Sequence, residues 1–408
     1  MFDYNEYFSL SSQKMKASKI RELMKFASMP DVISFAGGMP DPLNFPFEDV
    51  KNIINNWDQK RSIFAMQYGS TEGYPPLLET LKRRMKEKKG INIDDQRIVV
   101  TTGGQQALFL ISRVLIDPDD IVLVEEPSFI GAMASFLANL AKLVGIPLER
   151  DGVDVDFLEK KIVELKKSGK KPKFFYTIPN FQNPAGVTMS LEKRKKIYDI
   201  SKKYGLVIVE DDPYGDLYFK NDDSFYKPIK SLGNDAPVLY VGSFSKILCP
   251  GFRLGWVVGD SQIIEKIALA KQSVDACSSS FGQVLANDYL EKNLIDNYLS
   301  KMRIIYREKK ELMIEKIKEF LPDSVKYTNP DGGFFIYLDL PEKMSGEKLF
   351  ARAIKSKVAF VTGEPFHTDP VEGDRHLRLS FSNSTNEEIN KGIKMLGEAI
   401  KEEIQSLK

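Results

Sequence analysis

Between residues 97 and 260, short apolar runs alternate with amphipathic stretches of helical length. RIVV at 97–100 precedes a Thr-Thr-Gly-Gly turn and the helix-like QQALFLISRVLI, and DIVLVEE at 120–126 precedes a second helical pattern, SFIGAMASFLANL. KFFYTIP, GLVIVEDD, APVLYVGS and RLGWVVG read as further strands, with the charged helix LEKRKKIYDISKKY between the first two. Runs of Val, Ile, Leu, Phe and Tyr without strict polar alternation predict strands buried on both faces, and helices between them predict parallel crossovers. The expected result is an α/β layered domain.

After about residue 262 the pattern changes to long helical runs, including 291–320, where charges interleave with apolar positions at three- and four-residue spacing. A terminal unit then reads strand (GGFFIYLDL), helix (SGEKLFARAIKSK), strands (VAFVTG and RHLRLSFS) and a final helix from residue 386. Ser384-Thr385-Asn386 offers that helix a polar N-cap, and Glu387 and Glu388 put anions at its positive end. This unit is expected to be a small α+β domain. The loop Gly37-Gly38-Met39-Pro40-Asp41-Pro42 separates the first fifty residues from the α/β core, so that segment is expected to pack with the small domain or a partner subunit.

A chain of 408 residues is too long for one simple core. Lys plus Arg number 58 against 57 for Asp plus Glu, which removes any global pull toward nucleic acid or an anionic membrane. Cys249 and Cys277 are too few for a disulfide framework or a four-ligand zinc site and fit a reducing compartment. His367 and His376 read as ordinary loop or strand residues, so no metal is expected. MFDYNEYFSL lacks the regions of a signal peptide, and no stretch approaches the ~18 apolar residues of a membrane span. A cytosolic protein is expected.

Four polar loops follow four of the strands. Lys246 sits in Ser243-Phe244-Ser245-Lys246, just before Pro250-Gly251-Phe252-Arg253. In an open parallel sheet the carboxyl ends of strands form the ligand crevice; two hydroxyls and a guanidinium suit a phosphate there, leaving the lysine amine as a nucleophile. Thr102-Gly103-Gly104-Gln105-Gln106 joins a strand to a helix, so it either cradles an anion on free backbone N–H groups or merely turns the chain. Asp211-Asp212-Pro213-Tyr214 puts carboxylates and a phenol at another strand end, where a buried acid needs a cationic partner, although Asp-Asp-Pro is also good turn chemistry. Pro179-Asn180-Phe181-Gln182-Asn183-Pro184 adds amides at a fourth. A cradle, an amide, an acid with a phenol and a lysine together point to one shared site.

The ordered motifs ISFAGGMPDP, QYGSTEGYPPL, TTGGQQAL, EEPSFIGA, IPNFQNPAGVTMS, VEDDPYGDL, SFSKILCPGFRLGW, NPDGGFFIYLDL and LRLSFSNS resemble those of the fold type I pyridoxal-phosphate enzymes. The likeness is to the class I and II aminotransferases of the group that includes 2-aminoadipate and kynurenine aminotransferases, and it runs from about Ser18 to Lys401. It implies a large domain (51–300) built on a mostly parallel seven-stranded sheet, a small α+β domain (301–408), and an N-terminal segment (1–50) joining the small domain and a dimer interface. It also implies pyridoxal 5′-phosphate as cofactor, amino acids and 2-oxo acids as substrates, and a homodimer with active sites at its interface.

Carried over position by position, the resemblance makes Lys246 the residue that condenses with the cofactor aldehyde and then moves the substrate proton. Asp211 would pair with the pyridine nitrogen, and Asn183 and Tyr214 with the ring 3′-oxygen. Gly103, Gly104, Gln105, Ser243, Ser245 and Arg253 would hold the phosphate, with Tyr68 reaching it from the other subunit. Phe129 would stack on the ring where related enzymes carry a tyrosine. Arg378 would clamp the substrate α-carboxylate, with Asn183 beside it, and Gly38 would let the N-terminal segment approach closely. Arg21 would read a side-chain carboxylate, or else be a solvated helix charge.

Two rival readings share parts of this pattern. A lyase or decarboxylase on the same scaffold would differ in which bond is oriented for cleavage. A ligand-sensing regulator would need a winged helix-turn-helix module of about 70 residues ahead of the Gly-Gly loop, whereas 36 residues precede Gly37.

Overall fold

The computed structural model describes residues 4–14, 29, 31–220, 222 and 224–407. In chain order the strands are β1 (Ile33–Ser34), β2 (Gln96–Thr101), β3 (Ile121–Glu126), β4 (Lys142–Glu149), β5 (Gly152–Val153), β6 (Phe174–Thr177), β7 (Val207–Asp211), β8 (Val238–Ser243), β9 (Gly255–Asp260), β10 (Lys326–Tyr327), β11 (Phe335–Asp339), β12 (Val358–Ala359), β13 (Val361–Thr362) and β14 (His376–Ser380). The main sheet has the order β2-β9-β8-β7-β6-β3-β4-β5.

That sheet has eight strands, one more than the seven expected. The addition is the two-residue β5, which folds back antiparallel on β4. The apolar pattern also passes over β4 itself, a next-to-edge strand of mostly half-buried or exposed residues that contains Gly145 and Pro147. A second difference concerns RLGWVVG. Its strand, β9, runs antiparallel to both β8 and β2 rather than parallel. Only residues 244–254 join β8 to β9, which is shorter than the dozen or more residues of a parallel crossover.

The continuous apolar runs conceal a period of two. Leu123, Phe175, Ile208 and Val238 pack into one core layer, while Val122, Val124, Phe174, Tyr176, Val209, Leu239 and Val241 pack into the larger layer on the other face. Because β2, β3, β6, β7 and β8 share one direction, their carboxyl ends lie along one edge. Gly255, the first residue of β9, pairs with both Thr101 and Ser243, so the antiparallel strand begins at that same edge and brings Arg253 with it.

In the C-terminal part β10, β11, β14 and β13 form a four-stranded antiparallel sheet. VAFVTG is two strands rather than one. β12 pairs in parallel with β1, and β13 pairs with β14, so neighbouring dipeptides serve different sheets on either side of Phe360. The helix Leu294–Phe320 packs along the last helix, Asn386–Ser406. Thr385 is the N-cap of that last helix, and its side chain and that of Glu388 exchange hydrogen bonds with each other's backbone N–H. Among the described residues no helix is long and apolar enough to cross a membrane, and no group of three or more His, Cys, Asp or Glu could hold a metal ion.

Candidate active site

Lys246 lies in the one-turn helix Phe244–Ile247 at the end of β8, and the Ser243 hydroxyl caps that turn by accepting from the Ser245 N–H at 3.1 Å. The residue is half-buried, and its amine donates to the Gly38 carbonyl at 2.7 Å. Burial, helped by the positive charges of Arg378 and Arg253, pushes this amine down to about 8. An amine so placed reaches its neutral, nucleophilic form close to physiological pH.

Asp211, the last residue of β7, is buried and accepts one hydrogen bond, from the Tyr176 hydroxyl at 2.8 Å. Desolvation raises its carboxyl to about 7; the Tyr176 bond works against the shift and the neighbouring Asp212 adds to it. No side-chain cation pairs with it among the described residues, so it is an acid awaiting a cationic N–H. Asp212 is different. It pairs with buried Lys89 at 3.2 Å and accepts from Asn180 at 2.9 Å and Tyr240 at 3.0 Å.

Arg378 stands on β14, opposite Tyr337 of β11. Its guanidinium lies 4.3 Å from the Phe335 ring and 5.0 Å from that of Phe366, donates from Nη1 to Asn183 Oδ1 and from Nη2 to the Ala36 carbonyl, both at 2.8 Å, and leaves buried Nε without a partner among the described residues. Burial disfavours its charge, a penalty that a bound carboxylate would reverse. Asn183 also hydrogen-bonds Tyr214, whose buried ring meets Phe334 and Phe335 edge-on. Gly38 runs against Phe335: a Cβ there would come within 2.7 Å of the ring.

The turn after β2 holds Gly103 at φ +82°, and a Cβ on it would fall 2.6 Å from an Arg253 nitrogen. Gly104 opens the helix Gly104–Leu115, whose first N–H groups have no acceptor within the helix. Arg253 also donates to the Ser245 hydroxyl at 3.3 Å. Gly103, Gly104, Ser243, Ser245 and Arg253 therefore converge as one anion cradle. The Gln105 amide turns away from it, donating to the Gly131 carbonyl at 2.7 Å and to Ser135 at 2.8 Å, which leaves only its backbone for the cradle. Phe129 caps the next helix, half-buried beside Gln105 and Gly131. Tyr68 projects from the surface, 84% exposed, and Arg21 lies outside the described residues.

Three supporting groups escape a sequence reading. Tyr176 looked like one more apolar strand position; its place two residues after Phe174 marked its face but not its partner. Glu125 is buried one strand over from Tyr176 and accepts from Thr177, the Ile178 N–H and Gln182, which fixes the loop carrying Asn183. Asp275, in an irregular segment with no pattern to flag it, accepts from Thr102 and Gln106, each at 2.7 Å, and pairs with Lys271 at 2.6 Å, so it holds the glycine turn from outside.

A near-neutral lysine amine, an unpaired buried acid, an anion cradle and an arginine with a free buried N–H suit a flat ligand bearing an electrophilic carbon, a basic ring nitrogen and a phosphate, next to a carboxylate-bearing substrate. A family model described as aminotransferase class I and II matches residues 30–396. The chain is 44% identical to aromatic-amino-acid aminotransferase 1 of Thermococcus litoralis, over 99% of this chain and 96% of that one. It is 36% identical to the 2-aminoadipate transaminase of Thermus thermophilus, over 98% and 97%. Among solved structures, Pyrococcus horikoshii kynurenine aminotransferase, in complex with PMP and with KYN and KYA as substrate and product, superposes with a TM-score of 0.95 at 43% identity, covering 98% of each chain.

Proposed function

The chain belongs to the aminotransferases of class I and II, and from that membership we propose which of its residues carry the amino transfer and on what substrates. It is an enzyme that moves amino groups between small molecules. Pyridoxal phosphate, when bound, supplies the carbonyl that takes the amino group and a ring that draws electrons from the substrate α-carbon. The single observation that carries the reading is the near-neutral amine of Lys246 at the same sheet edge as the unpaired acid Asp211.

Lys246 would hold the cofactor covalently through Nζ and, once displaced, move the proton at the substrate α-carbon. Asp211 would hold the ring nitrogen by charge and hydrogen bond. Asn183 and Tyr214 would hold the ring oxygen, and Phe129 would cover the ring face. Gly103, Gly104, the Gln105 backbone, Ser243, Ser245 and Arg253 would bind the phosphate. Arg378 orients the substrate through its α-carboxylate, setting the Cα–H bond rather than the carboxylate bond for cleavage. That orientation favours transamination over decarboxylation on the same scaffold.

The substrates in this reading are glutamate, 2-aminoadipate or aromatic amino acids on one side and a 2-oxo acid such as 2-oxoglutarate on the other, in a ping-pong exchange. The names of the similar proteins support that range, with Arg21 as the reader of a side-chain carboxylate and Gly38 as the close wall. The assembly is a homodimer in which Tyr68 reaches the partner's phosphate cradle. Supporting this are the exposed Phe47, Ile63, Phe64, Met66 and Tyr68, on or next to helices that pack against Ser280–Glu291. The domains are 51–300 and 301–408, with 1–50 joining the second, a division supported by the pairing of β1 with β12.

The test loads the purified chain with pyridoxal phosphate and presents amino acids singly. Glutamate, 2-aminoadipate and aromatic amino acids should each convert the yellow form to pyridoxamine phosphate with release of the oxo acid; carbon dioxide release without pyridoxamine phosphate would overturn the reading. Arg21→Ala should lose the dicarboxylic substrates and keep the aromatic ones.

A pH dependence also follows. Loading requires the neutral amine, and the Lys246 pKa is lowered to about 8, so the loading rate should rise from pH 7 to 9 and level off above. Stopped-flow absorbance reads it. A rate still climbing tenfold per unit at pH 9.5 would assign the amine its ordinary pKa and contradict the site as described.

A further inference from the structure

We propose that Tyr176 is a positioning residue that fixes the negative charge on Asp211 and, through it, keeps the proton on the cofactor's ring nitrogen. The proposal rests on the pairing of Asp211 with that nitrogen.

Four buried carboxylates crowd the ends of β3 and β7, and three of them have two or more partners each. Glu125 accepts from Thr177 at 2.5 Å, the Ile178 N–H at 3.1 Å and Gln182 at 3.2 Å. Glu210 accepts from the backbone N–H groups of Ile229 at 2.6 Å and Lys230 at 2.8 Å. Asp212 has Lys89, Asn180 and Tyr240. Asp211 has Tyr176 alone among the described residues. Every other influence on Asp211, its burial and the charge of Asp212, favours the protonated acid.

In a pair formed by a ring N–H⁺ and a buried carboxylate, the proton rests on whichever partner is the stronger base. A phenol donating to the carboxylate weakens it as a base and leaves the proton on nitrogen. Without that donor the proton passes from the ring nitrogen to Asp211, giving a neutral pair and a ring that withdraws electrons less well. Tyr176 suits this task because it stays a donor. Burial and the charge of Asp211 hold its phenol well above the ordinary tyrosine range, and its ring is fixed by an edge contact with Phe136 at 5.4 Å.

The experiment loads wild type, Tyr176→Phe and Asp211→Asn with pyridoxal 5′-phosphate labelled with ¹⁵N in the ring and records the ¹⁵N resonance at pH 7.5. Wild type is expected at the pyridinium position, and Tyr176→Phe displaced toward free pyridine. The cofactor dissociation constant should rise on the order of tenfold in Tyr176→Phe, the scale of one hydrogen bond to a charged group. In the Asp211→Asn background, loss of the hydroxyl should then change it less than twofold. A pyridinium signal retained in Tyr176→Phe, or an equal affinity loss in both backgrounds, would overturn the role of Tyr176 while leaving the Asp211 pairing intact. A free-pyridine signal in wild type would overturn the pairing itself. Tyr289→Phe, at a buried tyrosine whose hydroxyl donates to Asp49 rather than to Asp211, serves as the control expected to match wild type. Failure of Tyr176→Phe to fold would also count against the proposal, by assigning the hydroxyl to the stability of the sheet.

Discussion

Lys246→Ala should bind pyridoxal phosphate yet transfer no amino group, with the single-turnover rate falling by about 10⁴-fold or more. The expectation comes from two properties of one side chain. Its amine reaches the neutral form near pH 8, and it sits among Gly38, Arg253 and Arg378, where the cradle and the clamp meet. Among the described residues no other lysine combines these. Lys230 is also buried and lowered to about 8, but it hydrogen-bonds Gln96 on β2, the strand's amino-terminal residue and therefore away from the carboxyl edge that carries the site. Borohydride reduction followed by peptide mapping gives an independent check. The wild-type chain should carry a stable pyridoxyl label on residue 246, and the variant none. Label on a different lysine, or turnover within tenfold of wild type, would remove Lys246 from the reaction.

Arg378→Ala should lower kcat/KM by roughly 10²–10³-fold for every amino acid tried, the loss expected when one partner of a buried charge pair is removed. All amino acids share the α-carboxylate, so the effect should be uniform across side chains, unlike that of Arg21→Ala. The two phenyl rings flanking the guanidinium and its bonds to Asn183 and Ala36 hold the fork in place before any substrate arrives. Arg378→Lys should recover only part of the loss, because a point charge cannot reproduce two parallel N–H donors. A simple amine lacking a carboxylate should react with the variant and with wild type at rates within a few-fold of each other. A loss that varied with the amino-acid side chain would place Arg378 outside α-carboxylate recognition.

Much of this site is legible in the chain, for a stated reason. Lys246, Asp211 and Asn183 each follow an apolar run ending in polar turn residues, and the carboxyl ends of parallel strands form the crevice of such a sheet. Arg253 was legible only in part, since nothing in RLGWVVG says that β9 runs backward and delivers the arginine to the same edge. The Gln105 side chain shows the opposite failure. Its position beside the glycine turn suggested a cradle ligand, but the amide meets the helix Ile130–Ala138, an element 25 residues further along, and is satisfied there.

The amino-acid sequence by itself determined the layered α/β architecture, the small C-terminal unit, the family, and the residue types gathered at the strand ends, because hydrophobic period and turn chemistry are local properties. Tertiary structure alone decided which acid is left unpaired, which tyrosine supports it, and which side chains are spent on packing rather than on the cleft. Protonation of Asp211, the basicity of Lys246 and the free N–H of Arg378 all depend on desolvation and on neighbours up to 342 positions away in the chain, as between Arg378 and Ala36. No spacing along a single chain encodes such contacts, because they come into being only when the sheet edge closes against the C-terminal domain.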